Sequence, residues 1–211
     1  MAISLVNNLS MNRSDTAVAD DVWTATSATL SDFQAPGADL VKLATATPTS
    51  GTTVDMTSVF SSTYRFYKLF MWDIEWGAEN RPELSYLVGG TEDTGNYYVK
   101  YTGASGGTGT YSGNNGAETN ADGFRLSDGY GQLNGQNPNF MAEVTFFNPN
   151  SNVTYSSINF TSQTNDGTNW IIDNGIGYYA TAIAATGLRF KGSAGGTFTS
   201  GALELYGFKA G

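Results

Sequence analysis

Gly187-Leu-Arg-Phe-Lys-Gly-Ser-Ala-Gly-Gly-Thr-Phe-Thr-Ser-Gly-Ala-Leu-Glu-Leu-Tyr-Gly-Phe-Lys-Ala-Gly211 decides how this chain folds. It reads as two strands joined by a glycine-rich turn. Leu203 and Leu205 alternate with Glu204, the two-residue period of a half-buried strand. The second strand runs almost to the carboxyl end, so function is expected on the faces or loops of a rigid β-domain, or at the amino end.

Working outward, short apolar runs separated by Gly, Ser, Thr and Asn recur along the chain, as they do in all-β proteins with many turns. Strands are expected at residues 40–47, 54–56, 64–76, 84–88, 97–102, 140–147, 153–162, 178–183, 188–191 and 202–208. Weak strands are expected at Thr110-Tyr111 and at residues 124–126. The run 64–76 is the strongest. Tyr64, Phe66, Phe70, Trp72, Ile74 and Trp76 are expected on one face, with Lys68 out of pattern. Arg65, Asp73 and Glu75 fall on the other face beside Tyr67, Leu69 and Met71, so both faces carry apolar groups, as in a central strand. No segment reads as a helix. The length of 211 residues suits one large β-domain with a small arm. The expected fold is all-β: an antiparallel two-sheet β-sandwich, a jelly roll, over residues 23–211, with a short N-terminal arm at residues 1–22.

In the arm, Ile3, Leu5, Val6, Leu9 and Met11 are apolar and interrupted by Asn7, Asn8, Asn12 and Arg13. The segment is too short to fold alone. It is either a terminal strand pinned to its own domain or an attachment segment that docks on a neighbouring subunit. It has no basic n-region and no long apolar core, so no signal peptide is expected, and no apolar run reaches the roughly 20 residues of a membrane helix.

The net charge of −9, with ten Lys and Arg scattered singly, argues against nucleic acid and against an anionic membrane surface. Cysteine and histidine are both absent, which removes disulfides, Cys/His zinc sites, Ser-His-Asp triads and Cys-His dyads from this chain together. With charged residues at only 14%, the surface must be largely Ser, Thr, Asn and Gly, a surface suited to protein packing or to hydrogen bonding with sugars.

Three groups of residues have chemistry to offer. Asp73 and Glu75 lie two apart on a strand, about 6.5 Å between Cα atoms. A retaining glycosidase places its carboxyl groups roughly 5–5.5 Å apart. The five residues 71–75 are similar to the glutamate-x-aspartate-x-glutamate strand of jelly-roll glucanases, but Met71 stands where the nucleophilic glutamate belongs. Two solvated carboxylates at a strand end is the plainer reading, and no catalytic residue is assigned. Asp93, Asn114-Asn115, Asp122, Asp128, Asn165-Asp166-Gly167 and Asp173-Asn174 read as turn residues. Their spacing is not that of a calcium loop, so no metal and no cofactor is assigned. The aromatics Trp72, Trp76, Tyr97, Tyr98, Tyr101, Tyr130, Trp170, Tyr178 and Tyr179 are many for one domain. Strand aromatics usually belong to cores or interfaces, yet sugars also stack on such rings, and Tyr97, Tyr98, Tyr130 and Trp170 are the candidate glycan contacts. Adjacent strand residues face opposite ways, so one of Tyr97 and Tyr98 is expected to point outward.

Several segments together carry a family resemblance. They are Val54-Asp-Met-Thr-Ser-Val-Phe-Ser-Ser-Thr-Tyr-Arg-Phe-Tyr-Lys-Leu-Phe70, Ala142-Glu-Val-Thr-Phe-Phe-Asn-Pro149, Gly187-Leu-Arg-Phe190 and Gly195-Gly-Thr-Phe-Thr-Ser-Gly-Ala-Leu-Glu-Leu-Tyr-Gly-Phe-Lys209. Over roughly residues 40–209 the chain resembles the concanavalin-like jelly-roll domain found in structural proteins of tailed-phage virions. The last hairpin, ending in Leu-Tyr-Gly, is the most specific part. The resemblance implies a non-enzymatic virion protein, a capsid decoration, a head fibre or a tail fibre, made in the host cytoplasm. Other virion proteins of the capsid or tail are its expected partners, and symmetric homo-oligomers, often trimers in virions, would cover its sheet edges. Decoration is favoured over a fibre because the chain shows neither shaft repeats nor a coiled coil. The alternative is a lectin-like module that contacts host surface glycans.

Overall fold

A computed structural model describes residues 22–25, 31–34, 40–78, 80–106, 112–127, 140–165 and 170–209. Residues 1–21, which hold Ile3, Leu5, Val6, Leu9 and Met11, lie outside them, as do Thr110-Tyr111 and Tyr130. The chain divides into two compact units, residues 1–39 and 40–211. The first unit contains an antiparallel pair, β1 (Val22–Ala25) and β2 (Ser31–Gln34), with Trp23 opposite Phe33.

The second unit holds β3 (Leu40–Ala46), β4 (Thr53–Met56), β5 (Tyr64–Trp76), β6 (Pro82–Val88), β7 (Thr91–Glu92), β8 (Tyr97–Gly106), β9 (Ser112–Ala121), β10 (Phe124–Arg125), β11 (Phe140–Phe147), β12 (Asn150–Ser151), β13 (Ser156–Asn165), β14 (Trp170–Tyr179), β15 (Ile183–Ala184), β16 (Gly187–Gly192) and β17 (Phe198–Lys209). Among the described residues there is no helix. The strands form an eight-stranded sheet in the order β3-β17-β5-β11-β13-β14-β8-β9 and a five-stranded sheet in the order β10-β6-β16-β4, with β7 on β6. A two-stranded piece pairs β12 with β15, and every pairing is antiparallel.

The inner faces of the two large sheets meet in one hydrophobic core. Tyr86, from the smaller sheet, lies edge-on to Tyr179 and tilted against Phe146, both from the larger. At the other end Trp76 packs on Phe140, Phe190 and Phe198. Such aromatic contacts add about 0.5–1.5 kcal/mol each beyond area burial.

The carboxyl-terminal stretch is not a hairpin. β16 pairs with β4 and β6 in the smaller sheet, whereas β17 pairs with β3 and β5 in the larger, so the glycine turn between them carries the chain from one layer to the other. The buried Asn80 holds that turn: its Oδ1 accepts from the backbone N–H of Ala194 at 2.9 Å and of Gly196 at 3.4 Å. A methyl group at Gly192 or Gly196 would overlap the Asn80 side chain. Asn80 itself lies between β5 and β6, another place where the chain changes sheets.

β5 also departs from simple alternation. Tyr67, Leu69 and Met71 point into the core, and so do Ile74 and Trp76, because a bulge at Asp73 (φ 52°) inserts one residue. Phe66, Phe70 and Trp72 therefore lie on the outer face, opposite in side to Ile74 and Trp76, with which strict alternation would have grouped them. The bulge leaves Gly201 (φ 144°) against Ile74, in a conformation that glycine alone adopts without strain.

The outer face of the smaller sheet is closed by cross-strand ion pairs. Arg189 holds Asp55 through two bonds of 2.7 Å and Glu92 at 2.9 Å, and Lys191 holds Glu92 at 2.6 Å. Arg125 joins Glu118 and Glu83. Burial pushes the Glu92 carboxyl up, but hydrogen bonds from Lys191, Ser85 and Arg189 outweigh it and hold the group below its ordinary 4.5. For Glu83 burial wins over Arg125 and Lys191, and its carboxyl lies above 4.5.

Two outcomes follow from this architecture. Asn80→Ala strips the acceptor from two turn amides and should cost about 1–3 kcal/mol, or roughly 3–10 °C in Tm. Thermal denaturation checks it, and an unchanged Tm would show that the turn holds itself. Stability against pH should contain two opposed contributions. The depressed Glu92 supplies stability that is present above 4.5 and lost as pH falls through its folded value, so Glu92→Gln should remove a positive slope on the acid side. The raised Glu83 costs stability as pH rises from 4.5 through its folded value, so Glu83→Gln should remove a negative slope. Urea titrations at a series of acid pH values distinguish the two.

Candidate functional site: the outer face of the large sheet

The register of the eight strands sets their outward side chains in lines across the sheet. One line runs Leu40, Phe208, Phe66, Phe147, Ser157, Tyr178, Tyr98, each opposite the next on the neighbouring strand. Phe66 stacks on Phe208 at 4.2 Å and lies 6.2 Å from Phe147. Tyr98 stacks on Tyr178 at 4.9 Å with the rings within 6° of parallel. Ser157 is the gap between the two groups of rings. The next line is Lys42, Tyr206, Lys68, Thr145, Asn159, Ile176, Lys100, and the third contains Glu204, Phe70, Glu143, Thr161, Asn174 and Thr102. Ion pairs tie these two lines together on one half of the sheet: Lys42 to Glu204 at 2.6 Å and Lys68 to Glu143 at 2.5 Å. The same two lysines sit over the Tyr206 and Phe70 rings.

The other half is hollow. A groove of about 520 Å³ runs over β13, β14, β8 and β9, floored by Ile176 and flanked by Tyr98, Tyr178, Ser157, Asn159 and Lys100. A second hollow of about 340 Å³ adjoins it at Lys100 and Ile176 and extends to Thr102 and Asn174. Ile176 is 62% exposed and Tyr178 46% exposed, unusual values for apolar side chains in the middle of a sheet. Hydrogen-bonding groups thus flank exposed apolar surface, the combination that amphipathic ligands such as sugars use. Glu118 also lines the groove, and its carboxylate is engaged by Arg125.

The four candidate glycan contacts do not form one site. Tyr98 faces outward and lines the groove. Tyr97 is fully buried (0% exposed): its hydroxyl donates to the Asp93 carbonyl at 3.0 Å and accepts from the Tyr86 amide at 2.7 Å. It is a core residue and is withdrawn as a glycan contact. Burial pushes its phenol up, as it does those of Tyr86 and Tyr179, the last to about 12. Trp170 is 41% exposed on the same outer face, but at the opposite end of β14, eight residues or about 26 Å from Tyr178. Tyr130 lies outside the described residues. Trp76, Tyr101 and Tyr179 belong to the core.

Sequence reasoning did not single out Lys100 and Ile176. The signal was present in alternation: Tyr98 and Lys100 share a face, and so do Ile176 and Tyr178. What hid it was reading Asp173-Asn174 as a turn. Both residues lie inside β14, as Asn114-Asn115 lie inside β9, and the strand expected at residues 97–102 runs on as β8 as far as Gly106.

The carboxylates considered for hydrolysis are placed differently from the expectation. Asp73 occupies the left-handed bulge position, so the regular strand spacing assumed for a pair with Glu75 does not apply. Ser200 Oγ donates to the Asp73 carbonyl oxygen at 3.0 Å. Among the described residues no three acidic, histidine or cysteine side chains cluster so as to hold a metal.

No protein-family model, no curated protein and no solved structure matches this chain.

Tyr97→Phe leaves the buried Tyr86 amide without its acceptor and should lower unfolding stability by about 1–3 kcal/mol. Tyr98→Phe removes a hydroxyl on the open face and should cost under about 0.5 kcal/mol. Equal losses in denaturant titrations would contradict the inward and outward assignments.

Proposed function

We propose that this chain is a non-enzymatic structural protein of a tailed-phage virion, a jelly-roll sandwich that serves as a capsid decoration or head fibre. The observation that carries the proposal is where the resembling segments meet. They supply β5, β11 and β17, three adjacent strands of the large sheet, and β4 and β16, two adjacent strands of the smaller one. Segments far apart in sequence thus converge on one block of framework around the shared core. A resemblance concentrated in framework bears on architecture and assembly more than on an active site. Other virion proteins are the partners under this reading, and symmetric self-association would cover the edge strands β3 and β9.

A second reading, contact with host surface glycans, is favoured by the groove beside Tyr98 and Tyr178, whose exposed apolar surface the fold itself does not use. The two readings are compatible in a fibre.

Quantitative mass spectrometry of particles purified from the source of this chain tests the first. A simple ratio to the major capsid subunit places the protein on the head lattice. A few copies per particle place it in a fibre or the tail. Absence from the particle removes the virion reading. Deleting residues 1–22 is expected to abolish incorporation while the sandwich still folds, and a truncated protein that still incorporates would remove the attachment role of that segment.

A further inference from the structure

We propose that the outer groove of the large sheet binds an acidic polysaccharide, with Lys100 as the carboxylate contact and Tyr178 and Ile176 as the apolar platform. The inference rests on the glycan reading above and adds the charge class of the sugar.

The argument begins with the cations. Among the described lysine side chains, Lys42, Lys68 and Lys191 are each spent on a glutamate within 2.6 Å. Lys100 is exposed and forms no ion pair among the described residues. It is also the residue at which the two hollows join, beside Ile176. In a chain of net charge −9, a cation without an ion pair among the described residues thus stands where a ligand would lie.

The carboxylates nearby are already engaged. Glu118, on the groove wall, is held by Arg125, and Glu143, on the adjoining strand β11, is held by Lys68. Other polar groups that line the hollows, Ser157, Asn159, Thr119, Thr102 and Asn174, are uncharged and suited to sugar hydroxyls. The long-range field of the whole chain opposes an anion, but at physiological salt it is screened beyond about 8 Å. A close lysine–carboxylate contact within the groove survives that screening.

The shape fits a chain rather than a compact ligand. The two hollows lie over neighbouring strands and share Lys100 and Ile176 as lining residues. The Tyr98–Tyr178 stack stands as a rigid wall on one side, its rings fixed by their mutual packing. A saccharide ring can lay its C–H face on Ile176 and the exposed part of Tyr178 and direct a carboxylate to Lys100 Nζ.

Isothermal titration of the whole chain with oligosaccharides of galacturonate, of alternating mannuronate and guluronate, and of hyaluronan, each beside its methyl-esterified form, tests the proposal. The expected result is binding of at least one acid form, about tenfold tighter than its ester, which is the worth of one charge-assisted hydrogen bond. Lys100→Gln should abolish that difference while leaving ester binding intact, and Lys100→Arg should retain it. Tyr178→Ala should weaken acid and ester alike by about tenfold or more. Lys100 is exposed, so its variants should melt like the parent, whereas Tyr178→Ala also loses the Tyr98 stack and should melt slightly lower while remaining folded. If ester and acid bind equally, the charge assignment fails and the glycan reading stands. If no sugar in the panel binds, both fail. Acid-selective binding unchanged in both Lys100→Gln and Tyr178→Ala would move the site elsewhere and overturn the proposal.

Discussion

Asn80 is the point on which the two layers depend. One passage from the large sheet to the small one runs between Trp76 and Pro82, and the last return runs between Gly192 and Phe198. Asn80 belongs to the former and hydrogen-bonds the latter. Backbone bonds tie the two crossings, Gly77 N–H to the Thr197 carbonyl at 2.8 Å and Ser193 N–H to the Arg81 carbonyl at 2.9 Å, and leave the Ala194 and Gly196 amides to Asn80. A buried side-chain acceptor satisfies the amides that the turn would otherwise strand. The glycines at 192 and 196 make the approach possible, because any Cβ there would occupy the space of the asparagine. The strands so joined, β5 with β17 and β6 with β16, are the pairs around which the others assemble.

The two-residue period then does the remaining sorting. Tyr97-Tyr98 on β8 lies opposite Tyr179-Tyr178 on β14. One register gives two unlike pairs: Tyr97 and Tyr179 meet inside at 4.7 Å, and Tyr98 and Tyr178 stack outside. A slip of one residue would bring the outer ring of one strand opposite the inner ring of the other. The inner pair is anchored by the Tyr97 hydroxyl to the backbone of β6, so that slip also costs buried hydrogen bonds. The rigidity of the outer pair is inherited from the inner one, and the groove is preorganised by the core beneath it.

This explains which features could be read from the chain alone. Leu203-Glu-Leu205 and Phe140 to Phe147 announce their strands because apolar residues alternate with polar ones, and they bury as expected. The bulge at Asp73 is invisible to a fixed period: a single residue in left-handed conformation moves Ile74 and Trp76 to the other face. β9 and β14 were masked by their composition, since Asn, Gly and Asp in a strand interior look like a turn. In β14 those residues are there because of packing. Gly175 and Gly177 face the Phe160 and Phe124 rings, where a methyl group would collide, and Asp173 is buried, accepting from Ser127. Composition rules describe free strands, whereas these small residues answer to large neighbours on the adjoining strand and opposing sheet. The change of sheet between β16 and β17 is equally silent, because a turn that reverses a chain within one sheet and a turn that bridges two draw on the same glycines.

The two outer faces of this fold are chemically unlike, and the difference indicates which one meets the outside. On the smaller sheet every charged group on β16 is matched across the strands, Arg189 with Asp55 and Glu92, Lys191 with Glu92, and Arg125 closes the far side with Glu83 and Glu118. A partner docking there would have to exchange bonds already made, and desolvating paired ions returns little. Half of the large sheet is similarly closed by Lys42–Glu204 and Lys68–Glu143 over the Phe66–Phe208 stack. The other half leaves Ile176, Tyr178 and Lys100 without such cover. Removing that apolar surface from water gains roughly 25 cal/mol per Å² and displaces no existing bond. The groove over β13, β14, β8 and β9 is thus a part of the described surface where apolar burial displaces no ion pair.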